Sequence, residues 1–84
     1  MLTVSVVSPE RTLYEGEADS IVAPAFDGEV GILPQHAPMI TLLGEGTLRL
    51  TRGGSTQRYR VAGGFLEVAD DRVRVVTERA EAAD

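Results

Sequence analysis

This 84-residue chain has no cysteine and no lysine. Without cysteine there is no disulfide framework and no thiolate chemistry. Without lysine, all eight basic residues are arginine, against thirteen acids, and the net charge is −5. An acidic balance argues against nucleic acid, because phosphate binding wants a basic surface. It argues equally against direct binding to anionic lipid. No apolar run approaches the roughly 20 residues that span a bilayer. The start, Met1-Leu2-Thr3-Val4, has neither a basic region nor a cleavable apolar segment, so no secretion signal is expected and a cytosolic location is the default. There is one histidine, His36, which is too few for a zinc site of the usual kind. The four aromatics are Tyr14, Phe26, Tyr59 and Phe65. Two or three of them are expected in the core, which leaves no stacking platform for single strands or sugars.

What is present reads as β-structure almost throughout. Leu2, Val4 and Val6 alternate with Thr3 and Ser5, the pattern of a half-buried strand. Ser8-Pro9-Glu10-Arg11 carries turn chemistry. Shorter strands follow around Leu13-Tyr14 and Ile21-Val22, and an apolar run covers Met39 to Leu43. Leu48, Leu50, Tyr59, Val61, Leu66, Val68, Val73 and Val75 fall on alternating positions and are expected to point inward. Gly44-Glu45-Gly46, Gly53-Gly54, Gly63-Gly64 and Asp70-Asp71 punctuate the second half as turns. Turns this frequent predict a β-sandwich or barrel. Parallel pairing is not expected, because its long crossovers have no room here. Helical periodicity appears only in Glu78 to Ala83, too short for a stable isolated helix. If the last three strands form a meander, Arg60, Glu67 and Arg74 align in one row, either a solvated charge ladder or a docking surface.

The segment GEVGILPQHAPM, Gly28 to Met39, is unlike the rest. Gly28 and Gly31 permit positive φ, so a tight reversal is expected around Glu29-Val30, with Ile32 and Leu33 returning to the core. Pro34 and Pro38 stiffen Leu33 and Ala37 and present Gln35-His36 on a rigid bracket. His36 is expected to bond a nearby carbonyl through its ring or to touch a partner protein. Catalysis has little to work with. No serine or cysteine pattern stands beside His36, Asp27 and Glu29 read as a solvated tip rather than an acid–base pair, and the glycines match no phosphate loop. Catalytic, cofactor and metal residues are accordingly expected to be none.

The same residues carry a family resemblance. Gly-Glu-Val-Gly-Ile-Leu-Pro-Gln-His-Ala-Pro-Met closely resembles the signature of the epsilon subunit of the rotary ATP synthase, called delta in mitochondria. Val61-Ala62-Gly63-Gly64-Phe65-Leu66-Glu67-Val68 is similar to that family's second signature, in the right order, and the resemblance covers about residues 2 to 79. It implies an all-β fold, a flattened antiparallel β-sandwich of about ten short strands, at the foot of the central stalk. It implies a non-catalytic rotor subunit that joins gamma to the membrane ring and couples proton flow to ATP synthesis, on the cytoplasmic face of the cell membrane. Carried over by position, Phe26, Asp27, Gly28, Glu29 and Val30 would face the rotor ring. Ser8, His36, Ala37, Pro38, Met39 and Thr41 would meet gamma. Gly28, Gly31, Pro34 and Pro38 would shape the turn.

The end of the chain departs from the pattern. Many relatives continue into a C-terminal helical hairpin that binds ATP or blocks rotation, whereas here residues 80–84 read as a short polar tail after a domain of residues 1–79. The expectation is a domain that neither brakes hydrolysis nor holds ATP. A second reading from a different class is a free-standing β-sandwich module for a small ligand or carbohydrate. It would want an aromatic-lined pocket, which the aromatic count disfavours.

Overall fold

A computed structural model describes residues 1–83. Eight strands run in chain order: β1 (Leu2–Val7), β2 (Thr12–Ala18), β3 (Ser20–Ala25), β4 (Gly28–Ile32), β5 (Met39–Leu42), β6 (Glu45–Arg52), β7 (Ser55–Ala69) and β8 (Arg72–Ala83). They form one hydrogen-bonded sheet in the order β2-β1-β8-β7-β6-β3-β4, with β5 pairing β7. The sheet folds over into two layers because its two longest strands serve both. The first half of β7 pairs β6 from Ser55 to Ala62, and the second half pairs β5 from Phe65 to Val68. β8 follows β7 along its length and pairs β1 only through Arg72 to Val76. One layer is therefore β2-β1-β8-β7-β5 and the other β8-β7-β6-β3-β4. Counted by layer, this is the expected sandwich of about ten segments, from eight continuous strands.

The bend that separates the layers is at Gly63-Gly64. These residues have φ of 73° and 100°, values that residues with a Cβ rarely adopt. They do not reverse the chain, as the sequence suggested, because β8 stays paired on both sides, Ala62 with Arg79 and Gly64 with Thr77. A Cβ on Gly64 would overlap the Val76 carbonyl oxygen and stand 2.7 Å from Thr77 Cα. The neighbouring chain turns the same corner. Leu43 N–H donates to Gly64 C=O at 2.9 Å, and Gly63 N–H donates to Gly44 C=O at 3.3 Å. Thr77, the one buried polar side chain among the described residues, directs its hydroxyl to Arg79 C=O at 2.9 Å.

Arg60 faces Thr47 and Glu81 in one layer, while Glu67 faces Ile40 and Arg74 in the other. The predicted Arg60, Glu67, Arg74 row is therefore not formed, and only the Glu67–Arg74 register pair exists. Residues 80–83 are neither tail nor helix. They extend β8 and pair with Arg58 to Val61, where Ala80 packs on the core. Backbone pairing to an existing strand outweighs a weak local helical pattern. Asp84 lies outside the described residues.

The excluded parallel pair is present. β1 and β8 run parallel from Thr3–Arg72 to Val7–Val76. They are the first and last strands, so the whole intervening domain is the crossover. The remaining pairs are antiparallel. Tight reversals occur at Gly53-Gly54, with φ of 56° and 84°, and at Asp70-Asp71, with φ of 50° and 58°. Positive φ at both central residues gives the twist that a two-residue hairpin needs.

All eight residues expected inward are buried, together with Leu2, Val4, Val6, Ala18, Ile21, Ala23, Ile32 and Leu43. Among the described residues Tyr59 is the only buried aromatic. Its hydroxyl donates to Gln57 Oε1 at 2.8 Å and lies 3.3 Å from Leu13 C=O. Burial, and secondarily the proximity of Tyr14, raises its phenol pKa above the ordinary value.

Candidate docking surface

The β3–β4 hairpin reverses at Phe26-Asp27, between the paired Ala25 and Gly28. This places the reversal three residues earlier than expected. Glu29, Val30 and Gly31 are strand residues, and of the two glycines only Gly28 has positive φ, 132°. Gly31 therefore has no turn role here. Phe26, Asp27, Gly28 and Glu29 are exposed, while Val30 packs on the core. Glu29 approaches Arg49 at 3.5 Å, an exposed ion pair worth less than about 1 kcal/mol.

From Ile32 the chain enters the bracket. Pro34-Gln35 form its turn, and Gln35 adopts φ 68°, an uncommon value for a non-glycine residue. His36 N–H donates to Leu33 C=O at 3.2 Å. The His36 ring lies with Nδ1 2.7 Å from Ala37 C=O, so Nδ1 carries the proton and donates. The ring-to-carbonyl bond anticipated from the sequence is thus present. Ile32 is buried, but Leu33 is not, because the strand has ended and Leu33 turns outward into the bracket.

Strand β5 follows Pro38 directly. Met39 and Thr41 turn toward the interior, and Ile40 and Leu42 toward solvent. The exposure is large: Leu33 63%, Ile40 68%, Leu42 62% and Phe26 66%. Phe26 and Leu42 belong to neighbouring backbones, since Phe26 N–H donates to Leu42 C=O at 3.0 Å. Register extends this edge across the layer. Leu42 pairs with Phe65, Phe65 with Val76, and Val76 with Val7. Phe65, Val76 and Val7 are half-buried and flank buried Leu66, Val75 and Val6, so their side chains face outward. Arg74 caps the Phe65 ring at 6.0 Å. A shallow groove of 360 Å³ lies beside Phe65, Val76 and Val7, lined also by Ser8, Pro9, Gly64, Thr77 and the acidic Glu78. Ser8 closes its end in a turn in which Ser8 N–H donates to Arg11 C=O at 2.9 Å.

The structure therefore splits the expected gamma set. His36, Ala37 and Pro38 are together on the bracket, Met39 and Thr41 direct their side chains inward, and Ser8 is three strands away across the same face. Sequence reasoning missed the outward residues Ile40, Leu42, Phe65, Val76 and Val7. A signal existed: Met39 to Leu43 is apolar on both alternations, more than a strand with one solvated face requires. Among the described residues no three His, Asp or Glu side chains are grouped as metal ligands.

A family model for the β-sandwich domain of the ATP synthase delta/epsilon chain matches residues 1–83. The ATP synthase epsilon chain of Desulforamulus reducens is 47% identical over 81 residues, and that of Leptospira borgpetersenii 48% over 77. These alignments cover 96% and 92% of this chain but 61% of each relative, so the chain spans under two thirds of their length. In structure, it superposes on a chain of the Euglena gracilis mitochondrial ATP synthase, solved as OSCP/F1/c-ring, with TM-score 0.89 and 25% identity. That match covers 96% of this chain and 52% of the other. A chain of the Tetrahymena thermophila central stalk and c-ring shares the fold, with TM-score 0.77 at 15% identity, covering 95% of this chain and 65% of the other. The small-ligand module finds no support in these relatives.

Proposed function

The chain belongs to the delta/epsilon family of ATP synthase subunits, whose β-sandwich domain it carries, and from that premise we propose that it is a non-catalytic rotor subunit of the central stalk. In this reading it binds gamma and the membrane rotor ring and helps couple proton flow to ATP synthesis, at the cytoplasmic face of the membrane. The supporting observation is a family match over residues 1–83 whose structural counterpart belongs to an F1/c-ring assembly. The geometry is consistent with that work. A rigid sandwich displays an apolar face bordered by a proline-stiffened bracket and an acidic hairpin tip, as a passive coupling piece would. Among the described residues no helix is long and apolar enough to cross a membrane.

The contacts divide by chemistry. The face made by Ile40, Leu42, Phe65, Val76 and Val7, with Ser8 and His36 at its margins, is the gamma surface, since apolar surface of this extent is stabilised by protein burial. The tip, Phe26 to Val30, is the ring contact, where Asp27 and Glu29 meet polar or basic groups. Adding the chain to ATP synthase stripped of its epsilon subunit tests the reading. Association with gamma and restored coupling are expected; a chain that neither binds gamma nor changes coupling would overturn it.

A further inference from the structure

The bracket's own hydrogen bonds give it a shape but not a position. His36 N–H to Leu33 C=O and the His36 ring to Ala37 C=O both begin and end within residues 33–37. Pro34 and Pro38 add stiffness but no donors. The bond that leaves the bracket is Gln35 N–H to Asp71 Oδ1, at 2.6 Å and 36 residues away in sequence. The acceptor is a carboxylate, which makes the bond stronger than a neutral one. It holds Gln35 at φ 68°, which an L-residue adopts with difficulty unless its surroundings impose it. Asp71 is itself fixed. It occupies the second left-handed position of the β7–β8 hairpin, and its carbonyl accepts Thr3 N–H at 2.8 Å.

We propose that Asp71 is the positioning residue of the docking bracket: its carboxylate anchors the Gln35 amide and thereby sets where His36 and the start of β5 stand relative to the sandwich. The proposal rests on the reading of this bracket as part of the gamma surface. It assigns a role in assembly to a hairpin turn outside that surface. It also explains why a glutamine tolerates a left-handed backbone there.

Two variants separate positioning from folding. Asp71→Gly keeps the left-handed turn and removes the acceptor. Asp71→Asn keeps an oxygen in the same place and tolerates the same backbone. The readouts are amide hydrogen exchange at Gln35 in the free chain and the dissociation constant for purified gamma subunit. In Asp71→Gly, Gln35 exchange should rise by about tenfold or more, as expected for loss of a charged hydrogen bond. Gamma binding should weaken several-fold, while the Leu66 amide stays as protected as before. Asp71→Asn should recover most of both. Unchanged Gln35 exchange in Asp71→Gly would overturn the proposal. A loosened Gln35 with unchanged gamma affinity would overturn it as a determinant of assembly and remove the bracket from the docking surface. Failure of the unaltered chain to bind gamma would instead sink the underlying reading, before any variant is made.

Discussion

On the outer side of the β2-β1-β8-β7-β5 layer, Leu42, Phe65, Val76 and Val7 follow one another across four strands. At the matching level of the other layer stand Ala83, Arg58, Arg49 and Val22. Both rows lie one residue from the same core, and β7 and β8 contribute to each. Burial fixes the inward alternate of every strand and leaves the outward alternate free. On one side that freedom holds guanidinium groups, with Arg49 and Arg58 directly opposed on paired strands, a like-charge arrangement that costs stability. On the other it holds apolar side chains that run inward from the edge strand β5, which folding alone does not require. The arginine face is what solvent tolerates; the apolar face is what a partner would stabilise.

The most severe way to break the comparison is to remove the bend that makes two layers from one sheet. Gly64→Val should destabilise by more than about 3 kcal/mol or prevent folding, because a Cβ would overlap the Val76 carbonyl oxygen and φ is 100°. Denaturant titration or recovery of soluble protein checks this. Next come the two inner faces, which should behave alike. Leu66→Ala behind the apolar face and Leu48→Ala behind the arginine face should each cost about 2–5 kcal/mol. Equal costs would show that the core does not distinguish the faces.

The outer faces should then diverge. Leu42→Asp should change thermal stability by less than about 0.5 kcal/mol, while weakening gamma binding by about tenfold, or 1.4 kcal/mol. Arg58→Glu should leave gamma binding unchanged. Calorimetric titration of both variants sharpens the comparison, and equal effects would erase it. A smaller effect concerns pH. The folded pKa of Tyr59 is raised, so the folded state holds its proton more tightly than the unfolded state. Its contribution is fully present below the unfolded value of about 10 and is lost as pH rises through the higher folded value. Melting temperature should therefore fall more steeply above pH 10 in the native chain than in Tyr59→Phe. The smallest effect is Glu29→Gln, which removes the ion pair to Arg49 at a cost below about 1 kcal/mol, diminished by salt.

Much of this was legible in the sequence, for a physical reason. Period-2 alternation reports burial directly, so Leu48 through Val75 were placed inward from pattern alone. The hairpins at Gly53-Gly54 and Asp70-Asp71 were legible because left-handed turns restrict residue type. Gly63-Gly64 was misread because a glycine pair signals positive φ but not whether the strand reverses or bends. That depends on pairing with β8, a contact at a distance. The parallel β1–β8 pair was invisible for the same reason, since it joins the two ends of the chain. Glycine at position 31 suggested a turn, yet Ile32 and Val30 hold it in a strand. At the candidate surface, the bracket and tip were legible through their prolines, glycines and acids. The apolar face was not, because Leu42, Phe65, Val76 and Val7 come from four separate strands and meet only through register.

In the proposed assembly the apolar face, and not the arginine face, receives gamma. The most direct measurement is to titrate isotope-labelled chain with gamma subunit and follow backbone amide signals residue by residue. Val7, Ser8, His36, Ile40, Leu42, Phe65 and Val76 should shift or broaden together, while Arg49, Arg58 and Arg60 stay in place. Perturbations centred on Arg49, Arg58 and Arg60, with Ile40 and Leu42 unmoved, would contradict it.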